Sequence, residues 1–451
     1  MEFKQDLRIK QTKFDDFCSD EIKTLDETHF TTADEEIDQN IKKKIISLSI
    51  EINKLCDIEN VHLLSDSIDP LCEYFKDSRI SNYCINELIA SSSYFHLMNI
   101  FGAGNLPEQL EWSLVHFFID VSYYHPTFNQ HFCNHEKAFN YLQNLFIEAP
   151  KTKITEISKL MFNIASNCAN CFSISYFTHV INRVLSKDEI ISNRSSYFLI
   201  NLFRNGPVED LEFPPFALHV INRWMWHKST KTIENLLWCI LSWSRRTESF
   251  PSIFYETYLF DFVTSQLNKR NELLFRIALS ICSTCLITKN DNFLRKIIEK
   301  IDFQFLISLF SMPNETSRIV LQFCSNLAAC GPFYIDLLLN YGTHVEASVN
   351  FESLPFDNKI EIAYFFTACI NSGTNEQASC FDSENYIEKL NDMFDMEDNL
   401  DLLILHSFIK LQEIKPEIVN YIDQETIEDF ILNGFAPDLC RKIKFNAVEN
   451  M

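Results

Sequence analysis

The chain has 451 residues, a net charge of −23 and a pI near 4.9, with only 7 glycines and 13 prolines against 41 phenylalanines. So few glycines argue against a Gly-rich phosphate loop, a hairpin-rich β fold and flexible linkers, and the acidic balance argues against nucleic acid, whose phosphates are met by Lys and Arg, while it suits a basic peptide or protein. No apolar run reaches the ~18 residues of a membrane span, no apolar leader opens the chain, and fifteen scattered cysteines fit reduced thiols of a cytosolic or nuclear protein.

Residues 1–40 are polar, carry mixed charge and lack a sustained apolar period, and 1–45 are expected to form an N-terminal arm. Lys42-Lys43-Lys44 follows and leads into an apolar stretch, I-I-S-L-S-I-E-I; residues 46–451 are expected to be one continuous helical solenoid with terminal caps. Within it, 46–100 reads as a first, irregular repeat broken at 69–70 and 76–79. Residues 106–148 form a second, whose third helix lies near Glu111–Asp120 with Phe118 and Asp120 both candidates for its key position. From 154 to 412 the repeats are regular, with breaks at 186–188, 269–271, 313–315 and 395–401. Residues 414–451, with T-I-E-D-F-I-L-N-G as their apolar helix, read as the closing cap.

The regularity is visible in one helix. N-L-L-W-C-I-L-S-W-S-R-R (235–246) places Trp238 and Ser242 four residues apart and therefore on one helical face, with Arg245 beside them; Leu236, Leu237, Ile240 and Leu241 make the opposite, apolar face. Positions equivalent to Ser242 recur at Asn163, Asn201, Thr284, Asn326, Ala368 and Lys410, at intervals of 38, 41, 42, 42, 42 and 42 residues. A fixed period of roughly 40–47 residues in a helical chain is the mark of a HEAT or armadillo solenoid. The residue four before each is Lys159, Tyr197, Trp238, Ser280, Gln322, Tyr364 and His406 in turn.

Several of these helices resemble segments of importin-α, the armadillo adaptor that binds nuclear localisation signals. The likeness lies in K-I-E-I-A-Y-F-F-T-A-C-I-N-S-G-T-N-E-Q (359–377), N-L-L-W-C-I-L-S-W-S-R-R, M-F-N-I-A-S (161–166) and T-S-R-I-V-L-Q-F-C-S-N-L-A-A-C-G-P (316–332), and it runs from about 150 to the C-terminus. The resemblance implies an all-α armadillo-repeat solenoid of about nine repeats, a right-handed superhelix. It also implies a concave groove in which Trp rings hold Lys stems and Asn amides bind the backbone of an extended basic peptide. Carried over, the expected peptide-binding set is Asn163, Ser166, Tyr197, Asn201, Trp238, Ser242, Arg245, Gln322, Asn326 and Tyr364. No complete Trp/Asn pair survives in it, and Lys159 and Arg246 stand close to it. The resemblance further implies an importin-β contact through the N-terminal arm, with Lys42–Lys44 where the family carries a self-inhibiting basic cluster; a solvated helix start is the plainer reading of those lysines.

No P-loop, G-x-S-x-G, H-E-x-x-H or kinase pattern is present. The two C-x-x-C pairs, Cys168/Cys171 and Cys282/Cys285, are 111 residues apart and read as chance spacing in buried helices, and H-F-C-N-H (131–135) as a surface or capping histidine. The expectation is a monomeric, non-catalytic import adaptor of cytoplasm and nucleus, without cofactor or metal, that binds basic cargo segments and no nucleic acid or membrane. The alternative is an armadillo scaffold that has lost recognition of such signals.

Overall fold

A computed structural model describes residues 37–56, 63–75, 77–206, 213–226, 229–267, 271–288 and 290–449. The expected arm falls largely on 1–36, outside the described residues; Lys42–Lys44 stands on the first helix. Among the described residues there is no strand, and no helix is long and apolar enough to cross a membrane. They divide into two compact units, 37–247 and 248–449.

The first unit runs α1 (Gln39–Leu55), α2 (Leu64–Phe75), α3 (Ser78–Ala90), α4 (Ser93–Ala103), α5 (Glu108–Tyr124), α6 (Pro126–Asn134), α7 (Glu136–Glu148), α8 (Ile154–Cys168), α9 (Ile174–Val184), α10 (Glu189–Asn205), α11 (Phe213–Trp224) and α12 (Thr230–Ser244). The long helices α2, α5, α8, α10 and α12 pack in succession, each against the next, with shorter helices connecting them. The apolar stripe of α8 shows why: Ile154, Ile157, Leu160, Met161, Ile164 and Ala165 recur at helical spacing and are all buried. Phenylalanine fills the space between layers. Phe118 meets Phe101 at 5.2 Å, Phe132 at 5.2 Å and Phe128 at 5.7 Å. Helix α4 approaches α7 so closely that a Cβ on Gly102 would lie 2.7 Å from the Ala138 nitrogen, so no side chain fits there.

The second unit runs α13 (Phe250–Glu256), α14 (Leu259–Leu267), α15 (Glu272–Cys285), α16 (Asp291–Ile298), α17 (Phe303–Ser308), α18 (Glu315–Ala328), α19 (Pro332–Asn340), α20 (Thr343–Asn350), α21 (Phe356–Ser372), α22 (Asn375–Ala378), α23 (Glu384–Asn391), α24 (Asp398–Ile414), α25 (Gln424–Asn433) and α26 (Pro437–Glu449). Here α15, α18, α21 and α24 stack in the same way, and α26 covers the end of α24, where Gln412 Nε2 donates to the Ile443 carbonyl at 3.4 Å. The apolar helix expected in the cap is α25, and Gly434 ends it with φ +75°, a conformation that favours glycine. The fold is an all-α armadillo solenoid of short, connecting and long third helices, as the period of 42 requires.

Polar side chains stitch the third helices together. Asn201 Nδ2 donates to the Phe162 carbonyl (3.0 Å), Asn205 Nδ2 to Ser166 O (2.9 Å), Asn235 Nδ2 to Ser196 Oγ (2.8 Å) and Asn326 Nδ2 to Ser283 Oγ (2.8 Å). Each bond crosses to the preceding third helix.

Candidate functional site

The expected groove residues separate into three groups. Asn163, Ser166, Tyr197 and Asn201 lie together on α8 and α10. Asn163 Nδ2 donates to Ser122 Oγ at 3.0 Å, and Ser166 Oγ donates to the Asn163 carbonyl one turn earlier at 2.6 Å. The Tyr197 ring stacks on Phe162 at 4.4 Å with planes 13° apart. Asn201 is 1% exposed. The Nδ2 groups of Asn163, Asn201 and Asn326 each donate to the neighbouring repeat.

Trp238 and Ser242 lie on α12, which is buried almost throughout. Every residue of α12 from Thr232 to Trp243 is buried; Trp238 is 5% exposed and Ser242 7%. The face expected to point outward is thus buried like the apolar one. Arg245 is half-buried at the C-terminal cap of α12, its N–H directed to the Leu241 carbonyl.

In the other unit, Gln322 and Asn326 share a face of α18 with Arg318, and Tyr364 stands on α21. The Tyr364 hydroxyl donates to Glu397 Oε2 at 2.9 Å; burial and that carboxylate both push its pKa well above the ordinary phenol range. Burial pushes the carboxyl of Asp401 up to about 6, against the Asp395 N–H that it accepts at 3.0 Å, with Asp395, Asp398 and Glu397 adding to the rise. Glu361 is also buried here, and Arg318 answers part of this charge: burial works against its guanidinium, while Glu315, Glu361 and Asp357 hold its proton.

A cleft lies where the sequence was least regular, on α2, α5 and α8 of the first unit. It measures about 620 Å³. Trp112, His116 and Asp120 line it from α5, four residues apart and so on one face; Asp69 and Glu73 line it from α2, Glu156 and Lys159 from α8. The Trp112 and His116 rings are 5.9 Å apart and 27° from parallel, and Trp112 is half-exposed. Lys153 Nζ lies 5.0 Å from the centre of the indole and pairs with Glu108 at 3.1 Å and Glu111 at 3.5 Å. Burial opposes its charge, but these two carboxylates raise its pKa. Lys159, expected to repel a basic ligand, is paired with Glu156 at 3.1 Å. Four carboxylates against one ammonium leave the lining acidic beside an indole and an imidazole ring. The indole already attracts one ammonium, that of Lys153, and the lining adds counter-charges for a further cation.

The position of Phe118 decides the register that the sequence left open. Phe118 is fully buried among the aromatic rings and Asp120 faces the cleft. Asp120 stands 43 residues before Asn163, so stepping the period back once more from the regular repeats leads to it, with His116 four before and Trp112 eight before.

His135 of H-F-C-N-H caps α7, its Nδ1 accepting from the Ala138 N–H at 3.3 Å while Nε2 meets Asn99 Oδ1 at 3.0 Å. Cys282 and Cys285 are buried in α15, Cys168 is buried at the end of α8 and Cys171 is exposed. Among the described residues no group of three His, Cys, Asp or Glu side chains is arranged to hold a metal ion.

No protein-family model and no curated protein matches the sequence. Solved structures do. An engineered protein known from its crystal structure is 12% identical, with 90% of this chain and 98% of that one covered at a TM-score of 0.66, a likeness of fold. A designed armadillo repeat protein is 14% identical over 51% of this chain and 98% of its own, with a TM-score of 0.44. Another, solved in complex with the peptide (KR)4, is 13% identical over 51% and 98%, with a TM-score of 0.43.

Proposed function

We propose that this chain is a non-catalytic adaptor that binds extended, Lys- and Arg-rich peptide segments on its third helices, in the manner of importin-α, and carries such cargo between cytoplasm and nucleus. The observation that supports the reading is the cleft of Trp112, His116 and Asp120 with Asp69, Glu73 and Glu156 around it. A Lys stem lies along the indole and its ammonium reaches the carboxylates, an arrangement of about 0.5–2 kcal/mol per cation depending on its desolvation. The Tyr364–Glu397 pair in the second unit offers a further aromatic and acidic position. Fluorescence polarisation with a labelled Lys/Arg-rich localisation peptide tests it. Trp112→Ala with Asp120→Asn should weaken binding at least about tenfold, which is ~1.4 kcal/mol, without loss of helicity. Equal affinity in the double variant would reject the cleft as the site.

The scaffold reading is favoured by a specific observation of its own. The amides of Asn163, Asn201 and Asn326 are engaged between repeats and Trp238 is buried, so the family's means of holding a peptide backbone is reduced. Absence of binding to any basic peptide would support it.

A further inference from the structure

The indole of the cleft already carries a lysine of this same chain. Lys153 stands at the N-cap of α8, and its Nζ lies 5.0 Å from the centre of the Trp112 ring, within the ~6 Å reach of a cation–π contact. The same ammonium pairs with Glu108 at 3.1 Å and with Glu111 at 3.5 Å. One side chain thus takes an aromatic face and two carboxylates together. The arrangement is held from behind. Glu111 accepts from the Tyr141 hydroxyl through its other oxygen, at 2.7 Å, and a Cβ on Gly104 would lie 3.1 Å from the Tyr141 ring. The Lys153 side chain is 20% exposed, whereas that of Lys151, two residues earlier, is 58% exposed and pairs with Asp188 at 3.5 Å, away from the indole.

We propose that Lys153 is a built-in competitor for the cation site of the cleft, engaging Trp112, Glu108 and Glu111 as an incoming lysine would and so setting how tightly the cleft holds a basic segment. The proposal rests on the reading of the cleft as a site for basic peptides and adds what limits it. A ring quadrupole attracts a cation at either face, and an ammonium already in place repels a second one whichever face that second one takes. Two carboxylates that could answer a ligand are meanwhile answered by Lys153. Because these groups are partly withdrawn from water, salt screens them less than it screens an open surface. Neutralising Lys153 therefore acts in one direction only: it removes a repulsion and releases Glu108 and Glu111. Methionine is the suitable replacement, since its unbranched apolar chain keeps the packing that the lysine stem gives the indole and loses the charge.

The test is fluorescence polarisation of the labelled Lys/Arg-rich peptide with the full chain, helicity being checked for each variant. Lys153→Met should bind about tenfold tighter than the unaltered chain, and Lys153→Gln should show a gain of the same sign. Lys151→Met removes the same charge two residues away and should change affinity by less than about threefold. In a Trp112→Ala background the gain from Lys153→Met should likewise fall below about threefold, because the indole is what the two ammonium groups share. Unchanged affinity in Lys153→Met and Lys153→Gln, with binding still weakened by Trp112→Ala, would overturn the competitor and leave the cleft as the peptide site. Equal gains from Lys151→Met and Lys153→Met would reduce the effect to net charge and overturn it as well. Binding by Lys153→Met alone would support it, and no binding by any form would remove both the competitor and the peptide site.

Discussion

At the scale of single residues, the third helices use asparagine for cohesion. Asn201 is all but inaccessible and its amide reaches a carbonyl of the neighbouring helix. Such a bond is modest in net value but costly to break on one side, because the remaining polar atom stays buried. Asn201→Ala should therefore cost about 1–3 kcal/mol of unfolding free energy in urea, against a smaller effect from Trp112→Ala, whose side chain lies partly exposed on the cleft and leaves no buried polar atom unpaired. Equal losses from the two would contradict this assignment. Asp401 gives a pH dependence with a definite sign. Its folded pKa of about 6 lies above the ~3.9 of an unfolded Asp, so the folded state binds the proton more tightly. Its contribution is fully present below about pH 4, is lost as pH rises toward about 6, and is level above. Asp401→Asn keeps an acceptor for the Asp395 N–H and removes the charge. It should raise the denaturation midpoint at about pH 7.5, by on the order of 1 kcal/mol, and leave it unchanged near pH 4. A gain of the same size at both pH values would mean that the benefit is not electrostatic.

At the scale of helices, ends matter as much as faces. Asn314 caps α18 by accepting from the N–H groups of Thr316 (3.0 Å) and Ser317 (3.3 Å). Asn314→Ala should destabilise by about 1 kcal/mol and Asn314→Gly by only a few tenths, measured by thermal unfolding, because glycine leaves the first-turn donors open to water. The existence and spacing of these helices were legible in the sequence, since a 3.6-residue apolar period and a repeat of 42 both leave marks along the chain. Faces were less legible. The helical wheel of 235–246 separates Leu236 and Ile240 from Trp238 and Ser242, but it does not say that both sides of α12 are covered, which depends on what packs there. Glu234 and Asn235, polar and buried in the same helix, were the local hint. The cleft was missed for a different reason. Helix α5 carries His116 and Asp120 where a Trp/Asn pattern was sought, so neither residue type matched although the spacing did.

At the scale of the whole chain, charge governs encounter. With −23 overall and an acidic cleft, binding of a Lys/Arg-rich peptide should weaken steadily with added salt, as the screening length falls from about 10 Å at 0.1 M to about 3 Å at 1 M. Titrating the labelled peptide across that range checks it; a flat response would show that aromatic contact alone carries the affinity. The inter-repeat asparagine bonds have a consequence of another kind. Each needs its acceptor at one height on the neighbouring helix, so a third helix that gained or lost a residue ahead of its asparagine would turn that amide by about 100° and lift it about 1.5 Å away from its acceptor. The long helices are thus fixed in length by their neighbours, and natural variation in chain length among proteins built this way should collect in the connecting segments, as the interval of 38 between Asn163 and Asn201 beside those of 42 illustrates.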